Sequence, residues 1–228
     1  MRIAVVSDIH GNLMALDAVM TDLERQAPDE VWCGGDLGWG GPWASECIQR
    51  VRDAGWTTIK GNTDIWITGD PQTIVEPAER EELKRVAIAH AISKEDANWL
   101  VNLPLGHSAA GSILMVHGTP QSAFVAPLPN APEAEFAPYE SKAGLVIFGH
   151  VHHAFTRRLT DGTIVCNPGS VGIPADDKTA SYLLIDQNGP GWTLRHRRVE
   201  FDRRAGIAQA KVIGGPVGER FLKWLGPE

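Results

Sequence analysis

Three imidazoles crowd the segment FGHVHHAF at 148–155, where His150, His152 and His153 sit in a chain with only eight histidines. Imidazole is a ligand for borderline divalent metals and a proton carrier near neutral pH, so what these rings face is a chemical question. Other polar residues recur beside glycine: Asp8 and His10 in SDIHG, Asp36 in GGD, Asn62 and Asp64 in GNTD, His117 in VHG. Each alone has an ordinary structural explanation. Asp8 can cap a helix beginning near Asn12, Asp36 and Asn62 can serve turns, and a lone His10 or His117 is more often packed than ligating. Those explanations are independent, and all must hold together for a site to be absent. Taken jointly, the pattern points to metal.

Carboxylate, imidazole and amide oxygen suit Mn²⁺, Fe²⁺, Zn²⁺ or Ni²⁺ better than soft ions. With no thiolate nearby, a structural cysteine-type zinc site does not fit. The candidates Asp8, His10, Asp36, Asn62, His117, His150 and His152 are more than one ion takes from protein. Two ions about 3.5–4 Å apart, sharing one carboxylate, accommodate them.

The elements that must position these residues are legible in the hydrophobic pattern. IAVVS at 3–7 is an apolar β-rich run, and the residues after it place Leu13, Leu16, Val19, Met20 and Leu23 at helical spacing. A strand at 30–35, a helix at 44–55 and a third strand at 56–62 repeat the alternation, which implies a parallel sheet with helices on its faces. A helix is expected over 78–91, and another follows with Ser93 as N-cap. The second half reads as β-rich: a hairpin over 105–118 around Gly111, a buried strand at 144–150, a hairpin with Asp161-Gly162 at its turn, and another joining 181–186 to 192–201. Two short helices close the chain. The polar residues thus follow strand ends, where active sites of α/β folds gather. The expectation is one α/β domain over 1–228, a two-sheet mixed β-sandwich flanked by helices.

Composition narrows the function classes. The 228 residues are 43% hydrophobic, enough for a buried core, and the formal charge of -7 disfavours nucleic acid and anionic membranes as partners. The first apolar run stops at Ser7 and Asp8, short of the roughly 7–15 residues a signal peptide needs, and no run reaches the roughly 18 of a membrane span. A cytoplasmic protein is expected, with Cys33, Cys47 and Cys166 as buried free thiols.

In order along the chain, SDIHG at 7–11, GGD at 34–36, GNTD at 61–64, VHG at 116–118, GHVH at 149–152 and NPGSVG at 167–172 resemble the calcineurin-like metallophosphoesterase family, in its small prokaryotic form. The resemblance runs to about residue 187. It implies the two-sheet metallophosphoesterase fold, one ion on Asp8, His10, Asp36 and His152, and a second on Asp36, Asn62, His117 and His150, with Asp36 as bridge. An i, i+2 pair in a strand points to opposite sides, so the loop after Gly149 must leave strand geometry to bring His150 and His152 together. Asp64 is expected to orient a neighbouring ligand.

The implied activity is a metal-dependent phosphoesterase, with Mn²⁺ favoured, and Asp36, Asn62 and Asp64 as the catalytic set. Two carboxylates leave two divalent ions with net positive charge even after one bridging hydroxide, and that hydroxide would attack phosphorus in line. One departure stands out: many members carry histidine where this chain has Thr63, and a hydroxyl with no accessible pKa cannot be a general acid. Phosphodiesters and good leaving groups are therefore favoured, the substrate being a small, nucleotide-like phosphoester. The alternative is a binding or scaffold protein of the same fold with little catalysis; the complete ligand set argues against it. Trp39, Trp43 and Trp66 lie near the centre and either stack an aryl group or pack loops. Arg157 and Arg158 are expected on a solvated strand.

Overall fold

Period-two alternation in the first strand divides the core into layers. In β1 (Arg2–Val6), Ile3 and Val5 enter one hydrophobic cluster while Ala4 and Val6 enter another. The structure is a computed structural model that describes residues 1–68, 77–109, 112–189 and 191–226. After β1 come α1 (Leu13–Gln26), β2 (Glu30–Cys33), α2 (Ala44–Asp53), β3 (Thr57–Thr58) and α3 (Asn62–Thr68). The helices α4 (Pro77–His90) and α5 (Lys94–Val101) follow. Then come β4 (Gly106–Ala109), β5 (Ile113–Val116), a 3-10 helix (Glu133–Tyr139), β6 (Leu145–Phe148), β7 (Ala154–Arg158) and β8 (Ile164–Pro168). The chain closes with β9 (Ala180–Asn188), β10 (Gly191–Val199), α6 (Arg203–Ile213) and α7 (Gly215–Leu225).

Two five-stranded sheets result, ordered β10-β9-β1-β2-β3 and β4-β5-β6-β8-β7. β1 pairs in parallel with β2, and β2 with β3, while β9 and β10 extend the first sheet antiparallel. In the second sheet β5, β6 and β8 are parallel neighbours with antiparallel strands at both edges. Ile3, Val5, Trp32, Met115, Ile147 and Leu183 fill the space between the sheets. α1 and α2 cover the outer face of the first sheet through Leu16, Val19, Ile48 and Val51. The 3-10 helix covers the second through Phe136 and Tyr139 against Val146 and Phe148. This is the two-sheet mixed architecture expected from the sequence.

Several local readings hold in detail. Ser93 accepts from the Asp96 amide as N-cap of α5, the β7–β8 hairpin turns at Asp161-Gly162, and all three cysteines are buried and unbridged. The cap of α1 is Asn12, whose Oδ1 accepts from Ala15, so Asp8 is free of that duty. Gly111, the expected turn of the β4–β5 hairpin, lies outside the described residues. Two readings are corrected. The third strand covers only Thr57–Thr58, because Asn62 already begins α3. Arg157 is not simply solvated: it pairs with Glu133 at 2.6 Å and lies over the Phe136 ring, fastening the 3-10 helix to β7. Among the described residues no helix is long and apolar enough to cross a membrane.

Ile147 is 1% exposed at the centre of the inter-sheet layer. Ile147→Ala is expected to lower unfolding free energy by about 2–5 kcal/mol, read by urea denaturation; an unchanged midpoint would contradict the packing described.

Candidate metal centre

Every strand-end motif delivers its side chain to one rim. Asp8 and His10 follow β1, Asp36 follows β2, Asn62 opens α3, His117 follows β5, and His150 and His152 follow β6. Extended backbone could not aim them all inward. Asp8, His10, Asp36, His150 and His152 adopt positive φ of 58°, 49°, 57°, 68° and 59°. For residues other than glycine this left-handed conformation costs on the order of 1–3 kcal/mol each and clusters at functional sites. It also answers how His150 and His152, two apart, reach the same pocket.

The donor atoms converge. Ligand atoms of Asp8, His10 and His152 lie within 4.8 Å of one another, as do those of Asp8, Asp36 and His117. Asp36 Oδ2 is 3.5 Å from His10 Nε2 and 3.4 Å from His117 Nε2. Asp8 Oδ1 is 3.2 Å from His152 Nε2 and 4.0 Å from both His10 and His117. Both carboxylates therefore stand between the two groups. Asn62 Oδ1 lies 3.0 Å from His117 Nε2 and 3.0 Å from His150 Nδ1, completing the second group. All seven candidates meet here. His153 does not; its Nδ1 donates to the Val151 carbonyl instead.

Backbone carbonyls fix the imidazole tautomers. His10 Nδ1 donates to Trp39 O at 3.0 Å, His117 Nδ1 to Gly34 O at 2.7 Å, and His152 Nδ1 to Ile173 O at 3.0 Å. A carbonyl only accepts, so each neutral ring presents a lone pair at Nε2. His10 and His152 then bring two such lone pairs within 3.2 Å of each other. His117 directs its Nε2 at Asn62 Oδ1 and the Asp36 carboxylate, where a protonated ring donates and a neutral ring offers a lone pair to a metal ion. Acceptors facing acceptors in a buried space repel unless a proton or a metal cation lies among them. The residues thus fit divalent metal.

The titration behaviour carries the same message. Burial opposes ionisation of Asp8 and Asp36, yet neighbouring His152 and His117 respectively outweigh it and hold both pKa values below the ordinary range. Burial likewise opposes charge on His117, but Asp36 and Asp8 raise it to about 10. His10, burdened chiefly by burial, falls to about 4. The carboxylates draw positive charge into the pocket from whatever source is present.

Asp64 does not present its carboxylate to the cluster. Its Oδ2 accepts from the amides of Asp36 and Gly61, both at 2.8 Å, and its Oδ1 from Leu37 at 3.0 Å. Burial, then the Asp36 charge, raise its pKa to about 7. It clips the loop carrying Asp36 to the loop carrying Asn62, which is a positioning role rather than contact with reacting atoms. Those loops approach so closely that a Cβ at Gly61 would overlap the Asp36 carboxylate. Trp39 is 1% exposed and wedged between Trp66 and Trp224 with ring centroids 5.4 Å from each, so it packs loops rather than stacking a ligand. Trp43 and Trp66 are half-buried against the same core. Trp224, whose ring lies 5.0 Å from that of His10, was not singled out by the sequence, because no motif or spacing marks it.

A family model, the calcineurin-like phosphoesterase superfamily domain, matches residues 1–189. The chain belongs to that superfamily, whose members are metal-dependent phosphoester hydrolases. An uncharacterized protein of Methanocaldococcus jannaschii is 29% identical, with 98% of this chain and 95% of that protein aligned. The crystal structure of a metallophosphoesterase from Sphaerobacter thermophilus superposes with a TM-score of 0.76 at 26% identity, covering 98% of this chain and 99% of that one. A hypothetical protein from Pyrococcus horikoshii shares the fold with a TM-score of 0.79 at 21% identity, over 96% and 97% of the two chains.

Asp64→Asn places an amide NH₂ against backbone N–H donors and should weaken Mn²⁺ binding about 10–100-fold, as losses around ligands do. Calorimetric titration reads it; wild-type affinity would show that the clip between the loops is dispensable.

Proposed function

We propose that the chain hydrolyses phosphodiesters at a centre of two divalent cations, with Mn²⁺ the favoured ion. The observation that carries this reading is the buried convergence of carboxylate, imidazole and amide acceptors with their tautomers locked by backbone carbonyls. Asp8, His10 and His152 would hold one ion; Asn62, His117 and His150 would hold the other; Asp36, within 3.5 Å of both His10 and His117, would be shared. When bound, such a pair supplies Lewis-acid polarisation of phosphoryl oxygens and a water acidic enough to act as nucleophile near neutral pH.

The protein's own contribution is placement. Asp36 is held by the Thr63 amide at 2.9 Å on Oδ1, which leaves Oδ2 directed at the histidines. Asp8 accepts from the His150 amide at 3.2 Å, tying the GHVH loop to β1. Thr63 occupies the position where many family members carry histidine. Its hydroxyl is buried and has no hydrogen-bond partner, and it offers no proton at an accessible pKa. A leaving group on that side departs without protonation from Thr63, which favours aryl and other well-stabilised leaving groups and disfavours alkyl monoesters. A small nucleotide-like substrate whose leaving oxygen belongs to an aryl or phosphoanhydride group meets that description.

With added Mn²⁺, bis-p-nitrophenyl phosphate should be hydrolysed faster than p-nitrophenyl phosphate, and a chelator should abolish turnover. Tight metal binding with turnover of neither ester would instead favour a scaffold role. Asp36→Asn should lose activity and metal together; a fully active variant would refute the shared-ligand role. Thr63→His should raise alkyl monoester hydrolysis relative to diester at unchanged metal content, and a constant ratio would count against the missing-acid account.

A further inference from the structure

We propose that α7 and His90 of α4 act as positioning elements for one cation subsite only, that of Asp8, His10 and His152. The inference rests on the two-cation reading above and concerns how the two subsites differ. The matched family segment ends at residue 189, so α6 and α7 lie outside it.

Three independent contacts converge on this subsite from outside the strand-end loops. The Trp224 ring of α7 meets His10 edge-on at 5.0 Å and also packs on Trp39. It lies so close to the loop after β2 that a Cβ at Gly40 would overlap it. Second, the peptide between Trp39 and Gly40 is held at both ends. Its carbonyl accepts from His10 Nδ1, and its N–H donates to His90 Nε2 at 2.7 Å. His90 thereby fixes the plane of the group that sets the His10 tautomer. Third, the cluster of Ile207, Ala210, Phe221 and Leu225 from α6 and α7 packs on Ile173, whose carbonyl accepts from His152 Nδ1.

The other subsite has different supports. His117 is oriented by Gly34 O beside β2, and Asn62 sits at the start of α3, beside the loop clipped by Asp64. Among the described residues, no hydrogen bond or ring contact joins α6, α7 or His90 to Asn62, His117 or His150. Arg220 reinforces the asymmetry: its guanidinium lies over Trp39 and Trp224 and pairs with Glu82 of α4 at 2.6 Å, bracing α7 against α4. Loss of a group that orients a ligand weakens metal affinity about 10–100-fold, and here the loss should fall on one subsite.

The test measures Mn²⁺ affinity by calorimetry in two backgrounds, His117→Ala to disable one subsite and His10→Ala to disable the other. Wild type must first bind two Mn²⁺ per chain; fewer ions would refute the two-cation reading itself, and the inference with it. Given two ions, Trp224→Leu should weaken the remaining affinity about 10–100-fold in the His117→Ala background and leave it within about twofold in the His10→Ala background. Trp224→Phe should restore most of the loss. His90→Ala, which leaves α7 intact, should give the same selective pattern and decides the matter if Trp224→Leu does not fold. Equal losses in both backgrounds, or no loss in either, would overturn the proposal.

Discussion

The structure depends on two buried carboxylates, Asp8 and Asp36, that need positive charge beside them. Burial opposes their ionisation, yet His152 and His117 hold both pKa values low, and the Nε2 atoms of His10, His117 and His152 are directed at them. Burying charge is costly unless it is paired. That positive charge can be a proton on His117 and His152 or a cation in its place, which is why the same residues could hold metal.

The fold sustains this by over-determining the backbone. Five of the converging residues sit in the left-handed region, and that strain persists because the loops bearing them are laced together. His10 and Gly11 donate their amides to the carbonyls of Asp36 and Leu37, and Gly172 donates to the Asp8 carbonyl. Asp64 bonds three amides across the two neighbouring loops. The parallel strands β1, β2, β5 and β6 bring all these loops to one rim, and the layer between the sheets keeps the strands in register.

Much of this was legible in the sequence, for identifiable reasons. Ligand residue types beside glycine after apolar runs survive as a pattern because side-chain chemistry and turn geometry are both local. The Asp161-Gly162 hairpin and the Ser93 cap are local for the same reason. What orients the ligands was not legible. The carbonyls of Gly34, Trp39 and Ile173 carry no residue-type signature, since every residue has one. Trp224 reaches His10 across most of the chain length, and no local spacing encodes that contact. The short β3 was overread because Asn62, at the end of a β-rich run, already belongs to a helix. Arg157 looked solvated because its partner Glu133 is remote in sequence.

The central claim is that this rim holds two cations rather than one or none. A crystal structure of the Mn²⁺-loaded protein, with anomalous scattering recorded at the manganese edge, tests it most directly. The account predicts two anomalous peaks about 3.5–4 Å apart, with the Asp36 carboxylate touching both. A single peak, or density displaced from the histidines toward the surface, would contradict it.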